Sequence, residues 1–197
     1  MKKTTILLVA AAVFASAALL ISPASAATAT WNGGSAANGL WNNATNWGGT
    51  APVANDVLEF DGLTRLTATN NFAAGTAFNG INFASGAGAF VLGQVANSNI
   101  VLNGNITNAS ANLQTFNNFV FTNTPGAIEI NTGAAGIRFT NTGTKIYSAY
   151  TITKTGSGTL FLHSDLNNQF SNNLIVNQGT IINTGTGRAF SFGSSKR

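Results

Sequence analysis

The sequence contains no cysteine and has very few charged residues. Without cysteine it can form neither a disulfide framework nor a thiolate metal site. Charged residues make up only 7% of the 197 residues, whereas about a quarter is typical of globular domains. A chain poor in Lys and Glu but rich in Asn, Thr, Ser and Gly is a weak helix former. Because 44% of the residues are hydrophobic, too many for a disordered chain, we expect an all-β protein.

The scarcity of charge also limits the functions that the chain can serve. The basic residues do not cluster among aromatic side chains, as a nucleic-acid surface requires. The single histidine, His163, lies close to Asp165, but no nucleophile accompanies this pair. No metalloprotease, nucleophile-elbow or phosphate-loop motif occurs. We therefore predict no nucleic-acid binding, no cofactor, no metal and no catalytic residues.

Residues 1–26 have the pattern of a secretory signal peptide. Lys2 and Lys3 precede an apolar run over 6–21, and Ala-Ser-Ala at 24–26 supplies a small-residue cleavage site. The apolar run is shorter than the roughly 20 residues that span a bilayer. We predict that the leader is cleaved, that the mature chain starts near Ala27 without a membrane span, and that it is secreted or lies at the cell surface.

The segment 27–62 contains all three tryptophans, Trp31, Trp41 and Trp47. Asn- and Gly-rich turns separate them, which suggests compact hairpins. Tryptophan is highly buried on average, so the three rings are expected to form an aromatic core that caps the N-terminal end of the fold. The alternative is an exposed platform on which sugar rings stack, which makes the three tryptophans candidate glycan contacts.

Three carboxylates follow in the same segment, Asp56, Glu59 and Asp61. Ca²⁺ takes six to eight oxygen ligands, and no loop with the usual calcium-binding spacing is present. We favour turn-forming aspartates and a solvated glutamate over a calcium site.

Between residues 63 and 151, pairs of apolar residues in alternation recur in two series at steps of roughly nine or ten residues, which indicates evenly spaced short strands. They form two series, the first with Ile81/Phe83, Phe90/Leu92 and Ile100/Leu102, and the second with Phe119/Phe121, Ile128/Ile130 and Ile137/Phe139, followed by Ile146. A sandwich, a barrel or a solenoid fits this spacing, and the short uniform steps favour the solenoid. We expect about eight coils of roughly 20 residues.

The segment 151–184 carries the most specific motif in the chain. It consists of a Lys-Thr-Gly-x-Gly-x-Leu-x-Leu strand, then an Asn-containing turn, and then a Val-x-x-Gly strand. The motif residues are Lys154, Thr155, Gly156, Gly158, Leu160, Leu162, Asn167, Val176 and Gly179, followed by Thr180 and Ile181. This stretch resembles the autotransporter-associated β-strand repeat, also called the passenger-associated transport repeat, of bacterial surface and secreted proteins. The N-terminal segment is similar to the entry segment of that family, through its three tryptophans and Pro52, Asp56 and Phe60.

The resemblance implies a single-stranded parallel β-helix over 63–187 with the Trp-rich segment as its N-terminal cap. It also implies a non-enzymatic extracellular or cell-surface protein with a structural or adhesive role. The alternatives are a carbohydrate-binding module that uses the tryptophans and, less favoured, a β-helix enzyme that degrades polysaccharides. The tail 188–197 shows no transporter barrel, so we treat it as a possible truncation. Self-association through the solenoid ends, involving Phe190 and Phe192, and binding to extracellular glycans are the expected partner modes.

Overall fold

The computed structural model describes residues 26–123, 126–140, 143–163, 169–170, 174–184 and 191–192. Apart from one turn of 3-10 helix at Ala44–Trp47, the regular structure in these residues is β-strand. In the same residues, no helix has the length and apolar character needed to cross a membrane. The predicted signal peptide lies outside the described residues except for Ala26, and Asp165, Asn167 and most of the tail 188–197 also lie outside them.

The strands are short and are numbered here in chain order. They are β1 Thr28–Trp31, β2 Val57–Phe60, β3 Thr67–Asn70, β4 Thr76–Phe78, β5 Gly80–Phe83, β6 Val91–Gln94, β7 Ile100–Leu102, β8 Ile106–Asn108, β9 Gln114–Asn117, β10 Val120–Asn123, β11 Ile128–Asn131, β12 Ile137–Thr140, β13 Lys145–Ser148, β14 Ile152–Thr155, β15 Thr159–Leu162, β16 Gln169–Phe170, β17 Leu174–Val176, β18 Thr180–Asn183 and β19 Ser191–Phe192.

Every pairing between these strands is parallel, and the strands form three sheets that run along one axis. The first sheet has the order β1-β2-β5-β8-β11-β14-β17, the second β3-β6-β9-β12-β15-β18 and the third β4-β7-β10-β13-β16-β19. Three consecutive strands, one in each sheet, therefore make one coil that stacks on the coil before it. The predicted β-solenoid is confirmed.

The coils are longer and fewer than the sequence suggested. Hydrogen bonds from one coil to the next join residues that are 22 positions apart at Lys154 and Thr132, 24 apart at Phe90 and Gln114, and 29 apart at Ala27 and Asp56. The first sheet has 7 strands and each of the others has 6 in the described residues. The prediction of about eight coils of roughly 20 residues is therefore wrong.

The alternation of apolar and polar residues places the apolar side chains inside the coils, because successive side chains of a strand point to opposite faces. All the apolar pairs predicted between 81 and 139, together with Ile146, Leu160 and Leu162, are buried in one continuous core. At the C-terminal coils the burial is weaker. Val176 pairs with Lys154 but is 48% exposed, because β17 is the last strand of its sheet in the described residues.

The Trp-rich segment packs on the first coil, but it contains no hairpin. Its strand β1 pairs in parallel with β2, and the amide of Trp41 donates to the carbonyl of Thr69 on the neighbouring sheet. Trp47 lies in the 3-10 helix, which starts after Asn43, whose side chain accepts a hydrogen bond from the Thr45 amide. The Asn- and Gly-rich turns thus redirect the chain between sheets instead of closing antiparallel pairs.

Candidate functional site

The three tryptophans, the predicted candidates for glycan contact, are buried. Trp31 and Trp41 are 0% exposed, and Trp47 is 5% exposed. Stacking on a sugar requires an open ring face, which none of these rings offers. The interpretation of these tryptophans as an exposed sugar platform is therefore wrong, because the aromatic area is used for packing inside the fold.

The tryptophans form one cluster with the phenylalanines of the first coils. The rings of Trp31 and Trp47 meet edge to face, with their centroids 5.1 Å apart, and Trp41 lies 5.5 Å from Phe60 and 5.7 Å from Phe119. The indole nitrogen Nε1 of Trp47 donates to the carbonyl of Trp41 at 2.6 Å. Edge-to-face and tilted pairs at these distances are the favourable arrangements for aromatic rings.

The carboxylates of the N-terminal segment each bind groups of the fold. Asp56 is buried and accepts from the amides of Ala27 and Val53, at 3.1 and 2.8 Å, which fixes the turn before β2. Asp61 accepts from the Gly62 amide at 2.7 Å, and Glu59 accepts from the Thr30 hydroxyl at 3.4 Å on the outer face. In the described part of the chain, no group of three or more His, Asp or Glu side chains lies in a position to hold a metal ion.

His163 lies directly after β15 and is half-buried. Its neighbour in the sequence, Asp165, lies outside the described residues, so the prediction that these two residues form no catalytic pair is not tested by the structure.

The repeat motif forms the corner between the first and second sheets, and Lys154 lies buried inside it. Its ammonium donates to Thr132 Oγ1 at 2.9 Å and to the carbonyls of Thr155, Gly156 and Gln178 at 2.9, 2.7 and 2.8 Å. Thr132 belongs to the preceding coil and Gln178 to the following one, so one side chain joins three coils. Burial lowers the pKa of Lys154 below its ordinary value of 10.5.

The glycines of the motif make room for this corner. Gly156 has a φ of +75°, and a Cβ there would lie 2.6 Å from Asn131 Oδ1 and from the Gly133 amide nitrogen. A side chain at this position is therefore excluded both by the backbone conformation and by the neighbouring coil. The sequence marked these glycines as motif residues, and the structure shows why only glycine fits at 156.

Buried polar side chains continue along the same corner in earlier coils. The amide nitrogen of Gln114 donates to the carbonyl of Gly88 at 2.9 Å, and its oxygen accepts from the Phe90 amide at 2.9 Å. Asn108 donates to the carbonyl of Gly136 at 2.9 Å. Sequence analysis missed these residues. Their signal was a polar residue at an inward position of an otherwise apolar alternation, as in Ile106-Thr107-Asn108.

A groove lies on the outside of the third sheet. Its volume is about 560 Å³, and it is lined by Gln94, Asn97, Asn99, Val120, Thr122, Gly143, Lys145 and Tyr147. These residues come from three successive coils, because β10 pairs with β7 on one side and with β13 on the other.

The groove lies where one coil turns more tightly than the coil before it. In the middle coil, only Asn118 and Phe119 separate β9 from β10, whereas residues 95–99 make the same corner in the preceding coil. Asn118 takes a φ of +52°, which allows so short a turn. The middle corner is therefore recessed relative to the preceding coil, whose turn over 95–99 forms one lip of the groove, and Gly143 lines the opposite side.

One hydrogen bond shows how the recess is held. The Gln94 side-chain oxygen accepts from the Val120 amide at 2.9 Å, so this side chain replaces a backbone partner at the start of β10. On the wall of the groove, Thr122 and Tyr147 are neighbours in the parallel register, as are Val120 and Lys145. The lining thus combines a cation, an aromatic ring, amides and a hydroxyl, and no carboxylate is among its residues.

Comparisons of this chain with protein-family models, with curated proteins and with solved structures each found no match. The resemblance to the autotransporter-associated repeat therefore stays a prediction that rests on the motif residues themselves. What the structure adds is the physical role of those residues in the corner around Lys154.

Proposed function

We propose that this chain is a non-enzymatic structural β-solenoid that acts outside the cell, secreted or at the cell surface of a bacterium. The observation that carries the proposal is the corner around Lys154, where the longest buried polar side chain joins three coils by hydrogen bonds to four oxygens. A buried cation that binds only structural oxygens serves to hold coils together.

The described carboxylates support the same interpretation. Asp56 and Asp61 bind backbone amides, and Glu59 and Glu129 bind the hydroxyls of Thr30 and Thr155 on neighbouring coils. Glycoside hydrolysis needs two carboxylates that face one substrate across a short gap. The described carboxylates instead stabilise turns and neighbouring strands.

The non-enzymatic role is tested by incubating the purified protein with a panel of neutral and acidic polysaccharides and measuring the release of reducing ends or unsaturated products. We expect no turnover above that of a heat-denatured sample. Turnover that disappears in a Glu59→Gln or Glu129→Gln variant that folds normally would show that the chain is an enzyme.

The export proposal rests on the leader pattern at 1–26 and is tested separately. The full chain is expressed in a bacterium, the cells are fractionated, and the N-terminus of the product is sequenced. We expect an exported product that starts at Ala27, and we expect an Ala24→Leu/Ala26→Leu variant to keep its leader, because the cleavage site requires small residues. A cytoplasmic product that still begins with the leader contradicts export.

Self-association is the partner mode that one observation favours. In the described residues, β17 and β18 lie at one edge of their sheets, and Ile175, Val176 and Ile182 there are 43%, 48% and 42% exposed. A parallel edge with exposed apolar side chains can pair with a second copy. We expect the mass measured by light scattering to grow with concentration, and to grow less in an Ile182→Glu variant. A concentration-independent monomer contradicts this partner mode.

A further inference from the structure

We propose that the groove on the third sheet is a binding site for an acidic saccharide, a sugar chain that carries carboxylates. We call it the corner groove, and it is lined by Gln94, Asn97, Asn99, Val120, Thr122, Gly143, Lys145 and Tyr147. This activity goes beyond the structural role and does not depend on it, and it uses none of the tryptophans.

The size and shape of the corner groove fit a small ligand. Its volume of about 560 Å³ lies within the roughly 300–1,000 Å³ of small-molecule sites. It is bounded by the turn over 95–99 on one side and by Gly143 on the other, with Val120 and Thr122 of β10 between them. A groove that crosses three coils suits an extended chain of sugar rings.

The charge of the corner groove selects the ligand class. Lys145 is the one charged side chain among the lining residues, and no salt bridge or side-chain hydrogen bond engages its ammonium in the described structure. An ammonium at the wall of a polar groove binds a carboxylate through a charge-assisted hydrogen bond. A neutral sugar would leave that cation without a partner.

The remaining side chains supply what a sugar ring needs. Tyr147 provides an aromatic face for the apolar side of a ring. Asn97, Asn99 and Gln94 provide amide groups that exchange hydrogen bonds with sugar hydroxyls. Because the Gln94 oxygen is already held by the Val120 amide, its amide nitrogen is the atom left to donate to a ligand.

The two sides of the groove meet at Asn118 and Gly143. Asn118 has a positive φ, and a Cβ on Gly143 would collide with Asn118 Oδ1. Gly143 therefore packs directly against the tight turn of the middle coil.

The test is calorimetric titration of the purified protein with trigalacturonate and trimannuronate, and with the neutral galactotriose as the uncharged counterpart. We expect at least one acidic trisaccharide to bind about tenfold more tightly than galactotriose. Raising the salt concentration from about 0.05 M to about 0.5 M is expected to weaken the acidic ligand alone, since screening acts on the charge.

Four variants locate the site. Lys145→Gln is expected to lower the affinity for the acidic ligand about tenfold and to leave galactotriose unchanged. Tyr147→Leu is expected to lower the affinity for both sugars about fivefold, and Tyr147→Phe to restore it. Arg138→Gln removes the same charge from the second sheet, where Arg138 lies over the ring of Phe161, and is expected to change nothing.

Each result decides the proposal. Unchanged binding in Lys145→Gln and Tyr147→Leu, or an equal loss in Arg138→Gln, would overturn the assignment to this groove. Equal affinity for the acidic and neutral trisaccharides would overturn the choice of ligand class, and binding of neither acidic trisaccharide would overturn the site. The denaturation midpoints of all four variants are measured as a control. If they lie near that of the parent chain, a loss of binding reflects a change in the groove and not a loss of the fold.

Discussion

Near Trp31 the coils are joined by aromatic rings, whereas near Lys154 they are joined by hydrogen bonds inside a corner. In the first coils the core contains three tryptophans and the phenylalanines around them. Among the described residues beyond Phe139, the buried large side chains are Ile146, Ile152, Leu160, Leu162 and Lys154. One fold therefore uses two means to hold stacked coils together, and these differ in how strictly they depend on position.

The two kinds of contact differ in how strongly they depend on the relative orientation of the interacting groups. Ring packing tolerates a range of angles, and the pairs in the aromatic cluster vary from stacked to edge to face. The ammonium of Lys154 instead needs oxygens at set positions on three coils. We infer that the aromatic end tolerates changes of geometry better, and that the Lys154 corner fixes the register of its coils more strictly.

The largest expected effect is at the aromatic end. Trp41→Ala removes a fully buried ring that contacts Phe60, Phe78 and Phe119. We expect a loss of about 3–5 kcal/mol in the free energy of unfolding, measured by guanidinium denaturation followed by circular dichroism. Leu63→Ala is the control, because Leu63 is 76% exposed, and it is expected to change stability by less than about 0.5 kcal/mol. Similar losses in both variants would contradict the buried cluster.

The next effect breaks the hydrogen-bonded corner. Lys154→Met keeps the length of the side chain but removes the ammonium that donates to the Gly156 carbonyl and leaves the carbonyl of Gln178 without its donor. Because a buried acceptor without a partner costs about 1–3 kcal/mol, we expect a loss of about 2–3 kcal/mol in the same denaturation experiment.

Lys145→Met is the matched control for that change, since Lys145 lies on the outer face of β13. It is expected to alter stability by less than about 0.5 kcal/mol. If Lys154→Met is as stable as the parent chain, the corner does not contribute to holding the coils.

A smaller effect separates backbone conformation from crowding in the corner. Gly156 and Gly75 have nearly the same φ, +75° and +80°, but a Cβ at 75 would meet nothing within 4 Å. We expect Gly75→Ala to cost about 1 kcal/mol from its conformation alone. Gly156→Ala is expected to cost about 1 kcal/mol more, because it also meets the neighbouring coil. Equal losses, measured by denaturation, would show that the coils are free to separate at this corner.

The smallest effect is a dependence on pH. Since the pKa of Lys154 is lowered by burial from 10.5, the folded chain releases this proton at a lower pH than the unfolded chain does. Between the lowered pKa and 10.5 the unfolded chain binds more protons, so stability rises with pH in that window. The difference in stability between the parent chain and Lys154→Met is expected to increase with pH from neutral to pH 10.5. A difference that stays constant would show that burial does not perturb this lysine.

Much of the fold could be predicted from the sequence because the side-chain period of a strand is two. Alternations such as Ile100/Leu102 and Ile137/Phe139 identified inward positions correctly. The length of a coil could not be predicted in the same way. Strands β3 and β9 place a polar residue, Asn70 or Gln114, at an inward position. A search for alternating apolar residues does not detect such strands. The predicted length of roughly 20 residues per coil is therefore too short.

The sites depended on information that a single stretch of sequence does not hold. The composition around Trp31, Trp41 and Trp47 is the same whether the rings face inward or outward, and only the packing on Phe60 and Phe119 decides it. The corner groove depends on the length of one turn relative to the turn of the preceding coil. That comparison requires the register of the coils, which is a property of the fold.

The placement of the tryptophans also has a consequence for how the protein can be observed. All three lie in the segment 27–62, and none belongs to the coils around Lys154. Their emission therefore reports on one end of the molecule alone. If the chain unfolds from its C-terminal coils, circular dichroism will change before tryptophan fluorescence does. The difference between the two unfolding midpoints will then measure how independently the coils unfold.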